Sequence, residues 1–68
     1  MIEQNPIAVG ERLRSLRGGR DIKTVAASVK ISANALKMYE QGNRVPRDEV
    51  KERLSAYYGI KIEDIFGC

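Results

Sequence analysis

The chain has 68 residues, of which 43% are hydrophobic and 31% are charged. This composition excludes a disordered tail, and the longest apolar runs are far too short to span a membrane. A chain of this length is expected to form a single domain, residues 1–68. Its core is marginal, because domains of this size bury only about 60% of the surface that the unfolded chain exposes. Dimerisation would add buried surface.

The charge and the cysteine content of the chain indicate what kind of partner and which cellular compartment to expect. Lys and Arg number 12 against 9 Asp and Glu, which gives a net charge of +3. A basic balance favours a polyanionic partner, although many proteins without one are equally basic. Cys68 is the only cysteine, so an intramolecular disulfide is excluded, and no basic segment with an apolar signal core begins the chain. We therefore expect a cytoplasmic protein of prokaryotic or phage origin.

The first helix is predicted from Pro6 to about Arg17. Asn5 suits the N-cap, and proline is favoured at the first helical position. The glycines at 18 and 19 are expected to end the helix. One helical face should be buried and comprises Val9, Leu13 and Leu16. The charged residues expected to face water are Glu11, Arg12 and Arg14.

Two short helices joined by a tight turn are predicted next, over about residues 21–41. Asp21 suits the N-cap of the first, at about residues 21–29, whose buried face comprises Val25, Ala26 and Val29. Ser32 suits the N-cap of the second, at about residues 33–41, whose buried face comprises Leu36 and Tyr39. Gly42 can take the left-handed conformation that closes it. Only Lys30 and Ile31 lie between the helices, which is the spacing of a helix-turn-helix.

Two further helices are predicted in the C-terminal third. Pro46 is expected to start the fourth helix, with Asp48 and Glu49 complementing the positive end of its dipole. Gly59 should end it. A short fifth helix is predicted around Ile62, Ile65 and Phe66, where alternating apolar and polar residues also resemble a strand, but the carboxylates at 63 and 64 favour a helical turn.

Catalytic chemistry has little support in this sequence. The chain contains no histidine, no Gly-rich phosphate loop and only a terminal cysteine. Nucleophile–base pairs and metal sites built on His or Cys are therefore excluded. The adjacent carboxylates at 48–49 and 63–64 lie at predicted helix starts, where they interact with the helix dipole. We predict that the protein is not an enzyme and uses no metal and no cofactor.

The second helix of a helix-turn-helix enters the major groove of DNA. Four of its side chains are expected to be exposed, and Ala35 should lie between the buried and exposed faces. An Asn amide can bond an adenine edge, a Lys can reach guanine or a phosphate, and Ala or Met can contact a thymine methyl. The same pattern also fits an ordinary solvent-facing helix. The candidate base-facing residues are Ala33, Asn34, Ala35, Lys37 and Met38.

Phosphate contacts are expected to supply much of the affinity, because this helix has few long polar side chains. They are predicted at the start of the second helix and just beyond the third. Asp21 is interpreted as a cap, since a carboxylate repels phosphate. Arg20 and Lys30 are either surface charges or further contacts. The candidate phosphate-binding residues are Ile22, Lys23, Thr24, Asn43, Arg44 and Arg47.

From about Val9 to Phe66 the sequence resembles the Xre/Cro-type, phage-repressor-like family of helix-turn-helix DNA-binding domains. The resemblance rests on the order and spacing of VGERLRSLR, Ala26, Ile31-Ser32, YEQG, Pro46, Gly59 and IEDIF. It implies an all-α, compact five-helix, lambda-repressor-like fold. It also implies a partly buried ion pair between Arg17 and Glu40, which otherwise would be two solvated side chains.

The sequence departs from this family at three places. Ile22 stands where the family usually has a polar residue, often Gln, that meets a DNA phosphate. Lys30 replaces the turn glycine. The connection RGGRD after the first helix is also shorter than expected.

The resemblance implies a repressor-like transcriptional regulator that binds double-stranded operator DNA through the major groove. One recognition helix covers few base pairs, so we also predict a homodimer that binds paired half-sites. The expected dimer surface is helix 5 with the end of helix 4, including Tyr57, Ile60 and Ile62, although each of these residues fits the core equally well. The alternative is a protein-interaction module, such as an antitoxin-type domain with weak or lost DNA binding. Its partner would be a toxin or another regulator.

Overall fold

The computed structural model describes residues 5–67, which form five α-helices and no strand. Cys68 lies outside this range. None of the helices within it has the length and hydropathy needed to cross a membrane. The predicted all-α, five-helix architecture is confirmed. The helices are α1 (Pro6–Arg17), α2 (Ile22–Ser28), α3 (Ala33–Glu40), α4 (Asp48–Tyr58) and α5 (Ile62–Phe66).

The ends of α1 follow the local sequence. The Asn5 side chain accepts hydrogen bonds from the backbone N–H groups of Ile7 at 3.0 Å and Ala8 at 3.4 Å, and Pro6 occupies the first helical position. These bonds satisfy donors that have no partner within the helix. Gly18 ends the helix at a φ of 58°, a conformation that glycine adopts without steric cost. The predicted bounds of α1 are confirmed.

Helix α4 starts later than its sequence predicts. Pro46 was expected to begin it, but the helix begins at Asp48, with Arg47 at the N-cap in an extended conformation. Pro46 is buried in the connecting segment. Its ring therefore contributes to packing, and the helix starts only after the chain has passed this buried contact. The predicted end is confirmed, because Gly59 adopts the left-handed conformation with a φ of 69°.

One hydrophobic core joins all five helices. Helix α3 packs against both α1 and α2, while α5 packs against α1 and α4. The Arg12 guanidinium donates to the Ile65 carbonyl at 2.9 Å and so ties α5 to α1. Leu16, expected in the buried face of α1, is only partly buried at the edge of the core. The core residues are Val9, Leu13, Val25, Ala26, Val29, Leu36, Tyr39, Val50, Leu54, Ile65 and Phe66.

The residues expected at a dimer surface contribute to this core. Tyr57, Ile60 and Ile62 are each partly buried and pack against it. The buried part of each side chain therefore belongs to the core, as one of the two interpretations predicted. The exposed part could still contact a second copy of the chain. The exposed large hydrophobic residues within 5–67 lie elsewhere, at Ile7 and Val45.

Candidate nucleic-acid interface

Helix α3 begins at a serine cap and turns one face into the core. The Ser32 Oγ accepts a hydrogen bond from the Ala35 backbone N–H at 3.0 Å. Leu36 and Tyr39, three residues apart along the helix, are both buried. Because they occupy the inward side, Asn34 and Lys37 lie on the outward side, where both are exposed.

Helix α2 begins at an aspartate cap. The Asp21 Oδ2 accepts hydrogen bonds from the Thr24 backbone N–H at 3.1 Å and from the Thr24 hydroxyl at 3.3 Å. The interpretation of Asp21 as a cap is confirmed. The Thr24 hydroxyl already donates a hydrogen bond to this carboxylate. Lys23 is therefore better placed than the Thr24 side chain to bind a phosphate.

The turn between α2 and α3 contains a non-glycine residue in a left-handed conformation. Lys30 has a φ of 61°, the only positive φ among the non-glycine residues in the described range. Its backbone N–H donates to the Ala27 carbonyl at 3.1 Å, and that of Ile31 donates to Ala26 at 2.9 Å. These bonds fix the angle at which α3 leaves α2. A left-handed lysine costs about 1–2 kcal/mol relative to a right-handed one.

Three of the five candidate base-facing side chains are only half exposed. Asn34 and Lys37 are exposed, as predicted, and Ala35 lies between the two faces, as predicted. Ala33 and Met38 were also expected to be exposed, and this is wrong, since both are half-buried. Helix α3 lies against both α1 and α2. Positions that flank its buried face are therefore partly covered.

The candidate phosphate-binding residues fall into two groups around α3. At the start of α2, Lys23 is exposed, whereas Ile22 is half-buried and packs against the core. Beyond α3, the Asn43 amide donates to the Gln41 side chain at 3.1 Å. Arg44 and Arg47 are exposed and form no ion pair within residues 5–67. Both groups flank the outward face of α3 along the chain.

A bidentate ion pair joins α1 to the last turn of α3. The Arg17 Nε donates to Glu40 Oε2 at 2.7 Å, and Nη2 donates to Oε1 at 3.0 Å. The side chain of Glu40 is 6% exposed and that of Arg17 is 20% exposed. Hydrogen bonding to Glu40 raises the pKa of Arg17 above its ordinary value. The predicted pair is therefore present, and it holds α3 against α1.

An arginine and two tyrosines brace the loop after α1. The Arg20 guanidinium carbon lies 5.6 Å from the ring centre of Tyr57 and 5.7 Å from that of Tyr58, within cation–π range. The Arg20 carbonyl accepts from Arg17 Nη1 at 2.9 Å. Arg20, which the sequence left as either a surface charge or a phosphate contact, thus packs on the end of α4. The Tyr58 hydroxyl is buried without a hydrogen-bond partner.

Sequence reasoning missed the residue that brings α1 and α3 together. A Cβ built on Gly10 would collide with the carbonyl oxygen of Glu40 and would lie 2.7 Å from that of Tyr39. Only glycine permits this approach of the two backbones. The available signal was a glycine inside a predicted helix, where it costs about 1 kcal/mol relative to alanine and so indicates close packing.

Comparison with known proteins identifies the family. A family model described as a helix-turn-helix domain matches residues 8–65. The chain belongs to the helix-turn-helix domain family. This helix-turn-helix chain is 32% identical over 56 residues to the cryptic phage CTXphi transcriptional repressor RstR of Vibrio cholerae. The match covers 79% of the chain and 50% of the repressor, so the chain spans about half the length of this curated relative.

Solved structures share the same helical arrangement. The restriction-modification controller protein C.AhdI from Aeromonas hydrophila has a TM-score of 0.81 at 23% identity, covering 91% of this chain and 93% of that protein. The P22 c2 repressor, solved in complex with a synthetic operator, has a TM-score of 0.83 at 22% identity, covering 88% and 96%. At these identities the likeness establishes the fold of the helix-turn-helix domain.

Proposed function

We propose that this protein is a sequence-specific DNA-binding transcriptional regulator that inserts α3 into the major groove. The observation that carries this proposal is that α3 buries one side in the core and leaves the opposite side exposed. Its inward residues, Leu36 and Tyr39, are buried, whereas Asn34 and Lys37 are exposed on the other side. A major groove about 12 Å wide admits a helix presented in this way.

The outward face of α3 is suited to limited base readout. The exposed Asn34 amide can form two hydrogen bonds with an adenine edge. The half-buried Ala33, Ala35 and Met38 offer small apolar surfaces for a thymine methyl group. This face contains few long polar side chains, so the shape of the duplex and its backbone contribute much of the binding free energy.

Backbone phosphates are proposed to meet residues on both sides of α3. At the start of α2, the proposed contacts are the side chain of Lys23 and the backbone N–H of Ile22. Thr24 lies beside them and is the weaker contact, because its hydroxyl already donates to Asp21. Asn43, Arg44 and Arg47 follow α3. The exposed arginines carry positive charge that no acidic side chain within residues 5–67 neutralises by an ion pair. Such contacts orient the protein on the duplex without reading sequence.

We further propose that the protein acts in the cytoplasm as a homodimer and represses by occluding the operator. One α3 covers few base pairs, and two-fold dimers that place their helices in half-sites about 34–36 Å apart are the usual solution for this motif. The exposed parts of Tyr57, Ile60 and Ile62 are the proposed contact surface. Sedimentation of the protein with and without duplex tests this part, since monomer alone in both experiments contradicts it.

The experiment for DNA binding is a fluorescence anisotropy titration of labelled duplexes at several salt concentrations. Several phosphate contacts should make binding fall steeply with salt. Once a preferred duplex has been selected from a random pool, Asn34→Ala should reduce discrimination at one base pair by about 1–3 kcal/mol, whereas Arg44→Ala should weaken all sequences similarly. The reverse pattern would mean that α3 docks in another orientation.

A protein-interaction module is the second candidate function. It is favoured by Ile22, whose apolar side chain is half-buried at the start of α2 and offers no donor to a phosphate. In this case the surface of α4 and α5 would hold another protein, such as a toxin or another regulator. Absence of binding to any duplex at low salt would favour this candidate over the first.

A further inference from the structure

A charged cleft lies between α1, the start of α2 and α3. It encloses about 300 Å³ and is lined by Arg14 of α1, Ile22 of α2 and Lys37 of α3, together with the Arg17–Glu40 pair. It borders the outward face of α3, because Lys37 belongs to both. The cleft therefore adjoins the surface proposed to enter the major groove, but it also includes a residue of α1, outside the helix-turn-helix.

The charges in this cleft do not cancel. Glu40 is the acidic residue among those that line it, and its carboxylate is bonded to Arg17 through both oxygens. Arg14 and Lys37 are exposed and form no ion pair within the described part of the chain. Two unneutralised cations from different helices thus face one cleft, where they repel each other unless an anion lies between them.

We propose that Arg14 and Lys37 together bind one phosphate of the DNA backbone in this cleft. The proposal rests on the proposed DNA-binding function and assigns a contact within it. An arginine presents several N–H donors in a plane, and a lysine adds a mobile ammonium, so the pair can satisfy two oxygens of one phosphate. Ile22 forms the apolar part of the lining beside these two side chains.

This assignment explains how the protein binds a phosphate beside Ile22, which lacks a polar side chain. The donor comes from α1 instead of from the first turn of α2. It also means that Lys37 uses its charge on the backbone and does not read a guanine. Phosphate contacts position a protein on DNA without specifying sequence. Arg14 should therefore affect affinity for all duplexes equally.

The test measures the dependence of binding on salt for Arg14→Gln. A labelled duplex of random sequence is titrated with parent and variant at a series of potassium chloride concentrations. Because Lys37 still holds the shared phosphate, Arg14→Gln should reduce the slope of log K against log salt by up to about 0.9, the value for one whole phosphate contact, which corresponds to at most about eightfold weaker binding at 0.1 M salt. The loss should be the same for unrelated duplexes. Arg14→Lys should restore most of the slope, because the slope depends on charge.

Arg53→Gln is the matched control. Arg53 is an exposed arginine of α4 that lines a different cleft, so its replacement removes the same charge without touching the proposed phosphate site. The control should keep the parent slope to within experimental error. Circular dichroism should show that all variants are folded, as expected for exposed side chains.

Lys37→Gln distinguishes one shared phosphate from two separate ones. If both side chains hold the same phosphate, the double variant should lose less affinity than the sum of the two single losses. Additive losses would overturn the shared site. If the parent binds DNA steeply with salt and Arg14→Gln keeps that slope, the role of Arg14 is refuted while the proposed function stands. If the parent binds no duplex at low salt, both are refuted.

Discussion

Replacing Arg17 should destabilise the protein more than replacing Glu40, although the two residues form one ion pair. The Glu40 side chain is 6% exposed, so Arg17→Met strands a nearly buried carboxylate and should cost about 3–5 kcal/mol. The Arg17 side chain is 20% exposed and keeps its bond to the Arg20 carbonyl. Glu40→Gln should therefore cost less, about 1.5–3 kcal/mol, the range for hydrogen bonds to charged groups.

These losses are large for a chain of this size, whose total stability is expected to be about 3–10 kcal/mol. Urea unfolding followed by far-ultraviolet circular dichroism at low temperature measures them, since the chain contains no tryptophan. Arg53→Met, which removes an exposed arginine, should change stability by less than about 0.5 kcal/mol. The pKa of Arg17 is raised in the folded protein, so the guanidinium stays protonated. The contribution of the ion pair to folding stability is therefore fully present below the ordinary pKa of arginine and is lost only as the pH rises above that pKa.

The double variant completes a thermodynamic cycle. Arg17→Met with Glu40→Gln removes both charges, so no carboxylate is left stranded, and the double loss should fall short of the summed single losses by at least about 1 kcal/mol. If the two losses add within about 0.5 kcal/mol, or if Glu40→Gln costs more than Arg17→Met, the reasoning from burial is refuted.

Four further substitutions test three other features by urea unfolding. Gly10→Ala should destabilise by about 1–3 kcal/mol or more, because its Cβ meets backbone of α3, whereas Gly19→Ala, which meets nothing, should stabilise by about 0.4–1 kcal/mol; equal effects would contradict the close approach. Lys30→Gly should stabilise by about 0.5–1 kcal/mol, since glycine relieves the left-handed strain and loses only part of that gain as backbone entropy. Tyr58→Phe should retain or gain stability, because it removes a buried hydroxyl without a partner. Burial raises the pKa of Tyr58 above its ordinary value of 10.0, so the tyrosine of the unfolded chain ionises first and the stability of the parent should fall as the pH rises above 10.0. Tyr58→Phe should weaken this fall. An unchanged dependence of stability on pH would contradict the burial of this hydroxyl.

Elements governed by near neighbours in the chain could be predicted from the sequence. The caps at Asn5, Asp21 and Ser32 bond to groups two or three residues away. Buried positions such as Leu13 and Leu36 follow from helical periodicity. The start of α4 could not be predicted in this way, because Pro46 satisfies the local rule for a first helical position but is buried in the preceding segment.

The candidate site divides along the same line. The helix-turn-helix spacing, and the exposure of Asn34 and Lys37, could be inferred because both depend on short-range pattern. Even the ion pair needed a family resemblance, since its partners lie on different helices. Gly10, and Arg14 with its proposed phosphate contact, could not be singled out because the close approach at Gly10 and the cleft at Arg14 arise only when α1 packs on α3.

The amino-acid sequence by itself determined the five helices and the inward side of α3, since capping and periodicity act within one or two turns. Only the tertiary structure decided how closely α1 approaches α3, how far Ala33 and Met38 are covered, and that Arg14 shares a cleft with Lys37. Those features depend on distances between backbones that are remote in the chain, and such distances are set by the packing of the whole core.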